Sequence, residues 1–249
     1  TEEQIGDEIK EILEIIKMMY GVFGLEYKLT LSTRPDDFMG EISFWDKAES
    51  DLRKVLDDLN LDYVEKIGEA AFYGPKLDVQ VKPAVGPEYT LSTCQLDFCL
   101  PMRFELGYID NEGNKQTPVV LHRAIFGTFD RFTAFILEET KGVLPVWLAP
   151  TQLNVIPVNN EYHTEYATEI YELLKSSGVR VKIDLRDEKL GYKMRESQTK
   201  KIPLTLILGD QEKENNTISY RIHGEKETNT VSFDEFIEKV KSLQLSQDE

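Results

Sequence analysis

The sequence predicts an α/β (α+β) protein in two parts. Residues 1–145 read as a strand-rich part with helices, and residues 146–249 as a smaller α/β domain whose sheet has parallel members. Three observations carry this prediction. Strand signals with a period of two dominate from about residue 77 to residue 122. After Pro150 the pattern becomes strand–helix–strand–helix–strand, which calls for parallel neighbours in the sheet. Between the two, Gly142 to Pro150 is the best-marked connector, bracketed by Pro145 and Pro150.

Composition agrees. The chain has 249 residues, 41% hydrophobic and 30% charged, which allows one large or two medium domains with a real core. No apolar run approaches the roughly 18 residues of a membrane span, and the first helix is acidic and amphipathic, unlike a signal peptide. No membrane partner is expected. Cys94 and Cys99 stand five residues apart on an extended segment, about 16 Å by strand rise, beyond the roughly 7 Å reach of a disulfide. A reducing, cytoplasmic compartment is the expectation. The formal charge of −16 argues against indiscriminate binding to nucleic acid, so such a partner would need a local basic patch.

Thr1 with Gln4 has capping-box spacing, and Ile5, Ile9, Ile12, Leu13, Ile16 and Met19 recur at helical intervals. The helix begins at its cap with no leader, as in a chain cut from something longer. Leu29 and Leu31 predict a strand ending at Thr33-Arg34-Pro35. A second helix, capped by Ser43, carries Trp45, Ala48, Leu52, Val55, Leu56 and Leu59 on one face. Leu77, Val79 and Val81 alternate as a strand. From Leu91 to Leu100 a longer strand sets Ser92, Cys94, Leu96, Phe98 and Leu100 on one face and Thr93, Gln95 and Asp97 on the other. Tyr108 to Pro118 is a polar hairpin around Asn111-Glu112-Gly113. Val119 to Leu121 is a short buried strand, and after Gly127 an apolar helix runs through Phe132, Phe135, Ile136 and Leu137. In the second part, strands at Leu153–Ile156, Val179–Ile183 and Leu204–Leu208 alternate with helices over 162–177 and 189–199. A hairpin spans Thr217 to Val231, and a last helix starts at Ser232 with Glu235 and ends near Leu243.

Four features bear on chemistry. The row Thr93, Gln95, Asp97 offers a hydroxyl, an amide and a carboxylate on one strand face, able to grip a small polar substrate; an exposed sheet face reads the same way. His122 closes a short strand and precedes Arg123. A lone histidine fits a structural role as well as a metal, since zinc takes three or four ligands. His163 and His223 read as surface residues. Gly127-Thr128-Phe129-Asp130-Arg131 enters a helix, where Thr128 can cap, and free N–H groups with Arg131 suit a phosphate. An ordinary capped helix is the alternative. Phe72-Tyr73-Gly74-Pro75-Lys76 is a loop before a strand that is equally open. No P-loop, G-x-G-x-x-G or G-x-S-x-G is present.

The segment Val179 to Lys201 reverses the sign of the chain. It holds eight basic residues (Arg180, Lys182, Arg186, Lys189, Lys193, Arg195, Lys200, Lys201) against four acidic ones. Lys189, Lys193 and Lys200 recur near helical spacing and are expected to share a face. This is the footprint of a nucleic-acid contact or of a solvated helix face.

Taken together, Leu31-Ser32-Thr33-Arg34-Pro35, Ala71-Phe72-Tyr73-Gly74-Pro75-Lys76, Gln95-Leu96-Asp97-Phe98, His122-Arg123-Ala124-Ile125 with Gly127 and Asp130-Arg131, Trp147-Leu148-Ala149-Pro150, and Gly191-Tyr192-Lys193 through Arg195-Glu196 resemble the threonyl-tRNA synthetase family of class II aminoacyl-tRNA ligases. The resemblance covers nearly the whole chain. It implies part of a class II catalytic domain over 1–145, with an antiparallel sheet, helices and motif 3, and an α/β anticodon-binding domain with a mixed sheet over 146–249. It further implies that His122 is one of three protein ligands of a catalytic Zn2+ that holds threonine, and that Tyr73 and Gln95 line the threonine pocket. Arg131 would bind ATP, with Thr93, Thr128 and Lys76 near the nucleotide. Asp187, Lys201, Glu212 and Arg221 match positions that contact anticodon bases. The implied partners are threonine, ATP with Mg2+ and a threonine tRNA, in a homodimer.

This chain also departs from the family's pattern. Tyr89-Thr90 stands where relatives often have Trp-Gln, Asp130 replaces a Glu, and Asp187 stands where some relatives have Asn. Motif 1, motif 2 with its α-phosphate arginine, and the other two zinc ligands have no match and would lie upstream of Thr1. The expectation is a threonine–tRNA ligase portion that does not activate threonine alone. The rivals are a non-catalytic tRNA- or RNA-binding module, and a different class II synthetase.

Overall fold

Residues 1–245 are described by the structure, a computed structural model, and they divide into two units, Thr1–Glu138 and a second that begins at Glu139. In the first, Gln4 Oε1 accepts from the Thr1 amino group and hydroxyl at 2.8 and 3.0 Å, fastening a 3-10 turn, Glu2–Gln4, to the start of α1 (Ile5–Val22). Buried Ile5, Ile9, Ile12, Ile16 and Tyr20 form the inner stripe of α1. Then follow β1 (Tyr27–Ser32), α2 (Ile42–Asp58), β2 (Tyr63–Lys66), β3 (Lys76–Val81), β4 (Tyr89–Asp97), α3 (Cys99–Arg103), the hairpin β5 (Tyr108–Ile109) and β6 (Lys115–Gln116), β7 (Val120–Ala124) and α4 (Phe129–Glu139). The main sheet has the order β2-β1-β3-β4-β7, antiparallel except for the parallel pair β1–β2.

Three local expectations change. The N-cap of α2 is Glu41, in extended backbone and without a side-chain cap bond, so Ser43 sits inside the first turn. β4 stops at Asp97, because Asp97 Oδ1 accepts the N–H groups of Cys99 and Leu100, each at 2.9 Å, and turns the chain into α3. Phe98 and Leu100 therefore do not continue the strand. β7 is half-buried, as an edge strand with one neighbour. Cys94 and Cys99 are buried free thiols.

The second unit comprises β8 (Leu153–Pro157), α5 (Asn160–Ser176), β9 (Val181–Ile183), α6 (Leu190–Thr199), β10 (Leu204–Leu208), α7 (Asp210–Asn215), β11 (Thr217–Ile222), β12 (Asn229–Ser232) and α8 (Phe233–Leu245). Its sheet runs β12-β11-β10-β8-β9. β8, β9 and β10 are parallel, while β11 is antiparallel to both its neighbours, which makes the sheet mixed. Asn159 caps α5 through Glu161 N, and Ser232 Oγ accepts Glu235 N at the start of α8. The short α7 has no counterpart in the sequence reading. Leu153, Val155, Leu204, Leu206, Leu208, Ile218 and Tyr220 form the apolar face of the sheet and pack with Ala167 and Ile170 of α5 and Phe236 and Val240 of α8. Each such aliphatic side chain removed from water stabilises the unit by about 1.5–3 kcal/mol.

Candidate functional site

Strand register sorts the first sheet into two chemically different faces. Lys76 lies opposite Gln95, which lies opposite His122; Asp78 lies opposite Thr93. On the other face, Leu29, Leu31, Leu77, Val79, Cys94 and Leu96 are buried, and Ser92 on the same face meets the Tyr20 hydroxyl of α1 at 2.6 Å. The polar face is therefore not the ordinary solvated side of a sheet. Asp78, Gln80 and Asp97 on it are all buried, and Thr93 and Gln95 are half-buried. A register shift between Val79 and Gln80 brings Thr90 onto this face as well, where its hydroxyl accepts from Gln80 Nε2 at 2.7 Å.

Tyr73, Gln95 and His122 meet on this face. The Tyr73 hydroxyl donates to Gln95 Oε1, and its ring lies 5.5 Å, centroid to centroid, from that of His122. Burial and the charge of Asp97 raise the Tyr73 phenol above its usual pKa, which keeps it a donor at neutral pH. His122 Nε2 is 2.8 Å from Asp97 Oδ2. The loop holding Tyr73 depends on Gly74, where a Cβ would come within 1.8 Å of the Leu96 carbonyl oxygen. Close passage there lets Pro75 O accept Leu96 N at 3.0 Å.

Lys76 Nζ reaches Asp78 Oδ2 at 2.6 Å. The other oxygen of Asp78, the Thr93 hydroxyl and the Ser32 hydroxyl are buried without hydrogen-bond partners, and all three belong to this face. Buried polar atoms are normally paired, so three orphans on one side of one sheet mark where an outside polar group would bind. Arg131 stands beyond them in the first turn of α4. Thr128 Oγ1 accepts Arg131 N at 3.3 Å, so Thr128 caps the helix, and Arg131 Nη1 points to Thr90 O at 3.4 Å. The site thus combines Arg131 and the Lys76–Asp78 ion pair with unpaired oxygens and an aromatic wall. That set suits a polyphosphate bound beside a small polar molecule. Asp78 is absent from the sequence reading, and Ser32 and Thr90 appear there only within motif segments and without a site role, because a bulge and cross-strand register leave no local signal.

Among the described residues no three His, Cys, Asp or Glu side chains gather as a metal ion requires. His122 with Asp97 alone is not a zinc site.

The second unit also has a polar sheet face. Asn154, Thr205 and Arg221 align across β8, β10 and β11, as do Ile156, Ile207 and Ser219. Ser219 Oγ donates to Glu212 Oε1 at 2.6 Å and contacts Thr230 Oγ1 at 2.8 Å. Glu212 Oε2 accepts Gly209 N. Glu212 is thereby tied to the residue two positions from Arg221. Arg221 Nη2 donates to Thr228 Oγ1, whereas its Nε is buried and unpartnered, as are Gln198 Nε2 and His223 Nδ1. Gly224 N donates to Gln198 Oε1, so Gln198 and the His223 turn adjoin. Lys201 and Arg221 lie where β10 begins and β11 ends, whereas Asp187 and Glu212 follow the carboxyl ends of β9 and β10. The structure therefore does not gather the four into one cluster of direct contacts.

Two histidines and one lysine correct the sequence reading. His163 is buried, its Nδ1 accepting Asn159 N at 3.1 Å and its Nε2 lying 2.9 Å from Asp210 Oδ1. His223 is half-buried. Lys193 is only 1% exposed, so it does not share a solvated face with Lys189 and Lys200. Its position on α6 points inward, and its ammonium bonds Asn160 Oδ1 at 3.0 Å and Asp184 O at 3.1 Å. Within the basic segment Arg186 pairs with Asp184 and Glu196, and Lys200 with Glu196.

Known proteins resemble this chain along nearly all of its length. Residues 1–140 match the tRNA synthetase class II core domain (G, H, P, S and T), and residues 152–243 match the anticodon binding domain. A threonine–tRNA ligase of Oceanobacillus iheyensis is 49% identical over 244 residues, 96% of this chain and 38% of the relative. Threonine–tRNA ligase 1 of Bacillus subtilis is 50% identical over 242 residues, 95% of this chain and 38% of the relative. The chain thus spans less than two fifths of the length of these relatives. The solved RNA binding domain of threonyl-tRNA synthetase from Cryptosporidium parvum superposes with a TM-score of 0.90 at 34% identity, covering 97% of this chain and 61% of that one. A putative threonyl-tRNA synthetase from Aeropyrum pernix gives 0.81 at 26%, covering 99% and 62%. The chain belongs to the class II tRNA synthetases, and it has the core domain and anticodon-binding domain of the threonyl-tRNA synthetases.

Proposed function

We propose that this chain serves as the carboxyl-terminal part of a threonine–tRNA ligase. The observation that carries the reading is the buried polar face on which Tyr73, Gln95 and His122 adjoin the unpaired oxygens of Asp78 and Thr93. In the complete reaction the carboxylate of threonine attacks the α-phosphate of ATP and displaces pyrophosphate. A ribose hydroxyl of the tRNA terminus then attacks the resulting mixed anhydride. Catalysis of this kind rests on positioning and on charge held against the phosphates. Arg131 supplies that charge here, with Lys76, paired to Asp78, near the nucleotide and magnesium accompanying ATP as substrate. Thr93 and Thr128 stand beside the nucleotide, and Tyr73 and Gln95 line the amino-acid pocket. His122 is the one zinc ligand this chain would contribute, and the described residues do not complete the set, so threonine activation requires groups beyond them. Asp187, Lys201, Glu212 and Arg221 read the anticodon of a threonine tRNA. A homodimer and a cytoplasmic setting go with this reading.

The test is binding of the chain to a threonine tRNA transcript and to transcripts with altered anticodons, together with threonine-dependent ATP–pyrophosphate exchange. Preference for the native anticodon without exchange is expected. Exchange by the chain alone would overturn the requirement for further groups, and equal binding to all transcripts would overturn the anticodon assignment.

A further inference from the structure

The loop between β9 and α6 is held by side chains from outside it. Asn160, in the first turn of α5, donates from Nδ2 to Leu185 O at 2.8 Å and to Arg186 O at 2.9 Å. Lys193 of α6 donates to Asp184 O and to Asn160 Oδ1. Three successive carbonyls, 184 to 186, are thus taken by two side chains that also bond each other. Asp184 secures the same turn from inside, accepting the Arg186 amide at 3.2 Å and its guanidinium at 2.9 and 2.6 Å. The next residue, Asp187, is exposed, and its carboxylate makes no hydrogen bond or ion pair among the described residues.

Burying an ammonium is costly unless it is well paired, and both direct partners of Lys193 are neutral oxygens. A hydrophobic side chain of similar volume would fill the same space at lower cost. What the lysine adds is a fixed path for the backbone that presents Asp187. We propose that Asn160 and Lys193 are positioning residues for tRNA selection, setting the Asp187 carboxylate against an anticodon base. The proposal rests on the anticodon reading given above.

The experiment measures affinity of the 249-residue chain for a threonine tRNA transcript and for transcripts changed at each anticodon position, with thermal unfolding as a control. Asn160→Ala and Lys193→Met are made alone, with Asp187→Ala, and with Arg221→Ala. Each single variant should lower discrimination at one anticodon position about five- to tenfold, as Asp187→Ala does. In the Asp187→Ala background neither should lower it further, whereas with Arg221→Ala the losses should multiply. Asn160→Asp keeps the acceptor for Lys193 and removes the donors to the loop. It decides the question if Lys193→Met does not fold.

Parent-like discrimination in a folded Asn160 variant would overturn the proposal. So would an equal further loss in the Asp187→Ala and Arg221→Ala backgrounds, which marks a general structural defect. Discrimination by the parent with an inert Asp187→Ala removes the proposal and leaves the anticodon reading standing. A parent that does not discriminate removes both.

Discussion

Asp97 Oδ2 lies 2.8 Å from His122 Nε2, while Oδ1 of the same carboxylate accepts the N–H groups of Cys99 and Leu100. One fully buried side chain thereby ends β4, begins α3 and fixes the ring on the neighbouring strand. A carboxylate only accepts, so Nε2 is the ring nitrogen that donates in this contact.

Removing Asp97 should therefore cost far more than removing His122. Asp97→Ala leaves the Cys99 and Leu100 N–H groups without their acceptor at a fully buried position, and it frees the half-exposed His122 ring to bond water, a loss of about 2–4 kcal/mol. His122→Ala leaves Asp97 with both backbone donors and should cost about 1 kcal/mol. Urea unfolding of the two variants and the double variant gives the coupling. Equal losses for the two single variants would show that the carboxylate does not organise this corner.

Gly74 makes a second test, of the loop rather than the strand. Gly74→Ala puts a methyl group 1.8 Å from a backbone oxygen that cannot yield cheaply, since it belongs to a central strand. Destabilisation of about 2 kcal/mol or more is expected, with Tyr73 displaced from Gln95. Tyr73→Phe should be nearly neutral for stability. A thermal unfolding comparison that shows no difference between the two would contradict the close approach.

The two sites differ in how much of them the sequence displayed. Alternation from Leu91 onward placed Thr93, Gln95 and Asp97 on one face, and Ser232 with Glu235 announced α8. Alternation cannot say what covers a face, so the burial of Asp78, Gln80 and Asp97 was not legible. Thr90 joins the site only through a register shift, and the pairing of His122 with Asp97 needs the β4–β7 register. Lys193 departs from its expected exposure for a related reason. Helical spacing gives a residue its direction but not its surroundings, and α6 turns that side toward α5 and β9.

Acid should weaken the second unit through the Asp184–Arg186–Glu196 group. Hydrogen bonds from Arg186 hold the Asp184 carboxyl below its usual range, and those from Lys200 and Arg186 do the same for Glu196. A carboxyl with a lowered folded pKa favours the folded state above its unfolded value of about 4. That contribution disappears as pH falls from there through the lower folded values. Arg186→Met should therefore flatten the dependence of stability on pH below about 4, with little change in its shape near neutrality. Unfolding curves at pH 3, 4 and 7 decide it, and parallel profiles for parent and variant would deny the guanidinium this role.

Within the basic segment, the charges available to a phosphate are those not already engaged. Lys182, Lys189 and Arg195 are exposed and form no ion pair among the described residues, whereas Arg186 and Lys200 are paired and Lys193 is buried. Lys189→Gln and Arg195→Gln should each lower the slope of log affinity against log salt by about one where the residue meets a phosphate, because one fewer counterion is released. Anticodon preference should stay the same, since phosphate contacts carry no base information. Lys200→Gln should change the slope less, its charge being offset by Glu196 at 2.5 Å. Affinity for a threonine tRNA transcript measured across several salt concentrations separates these cases. An unchanged slope in the first two variants takes this segment out of the interface, while a lost anticodon preference makes the altered residue a reader of bases.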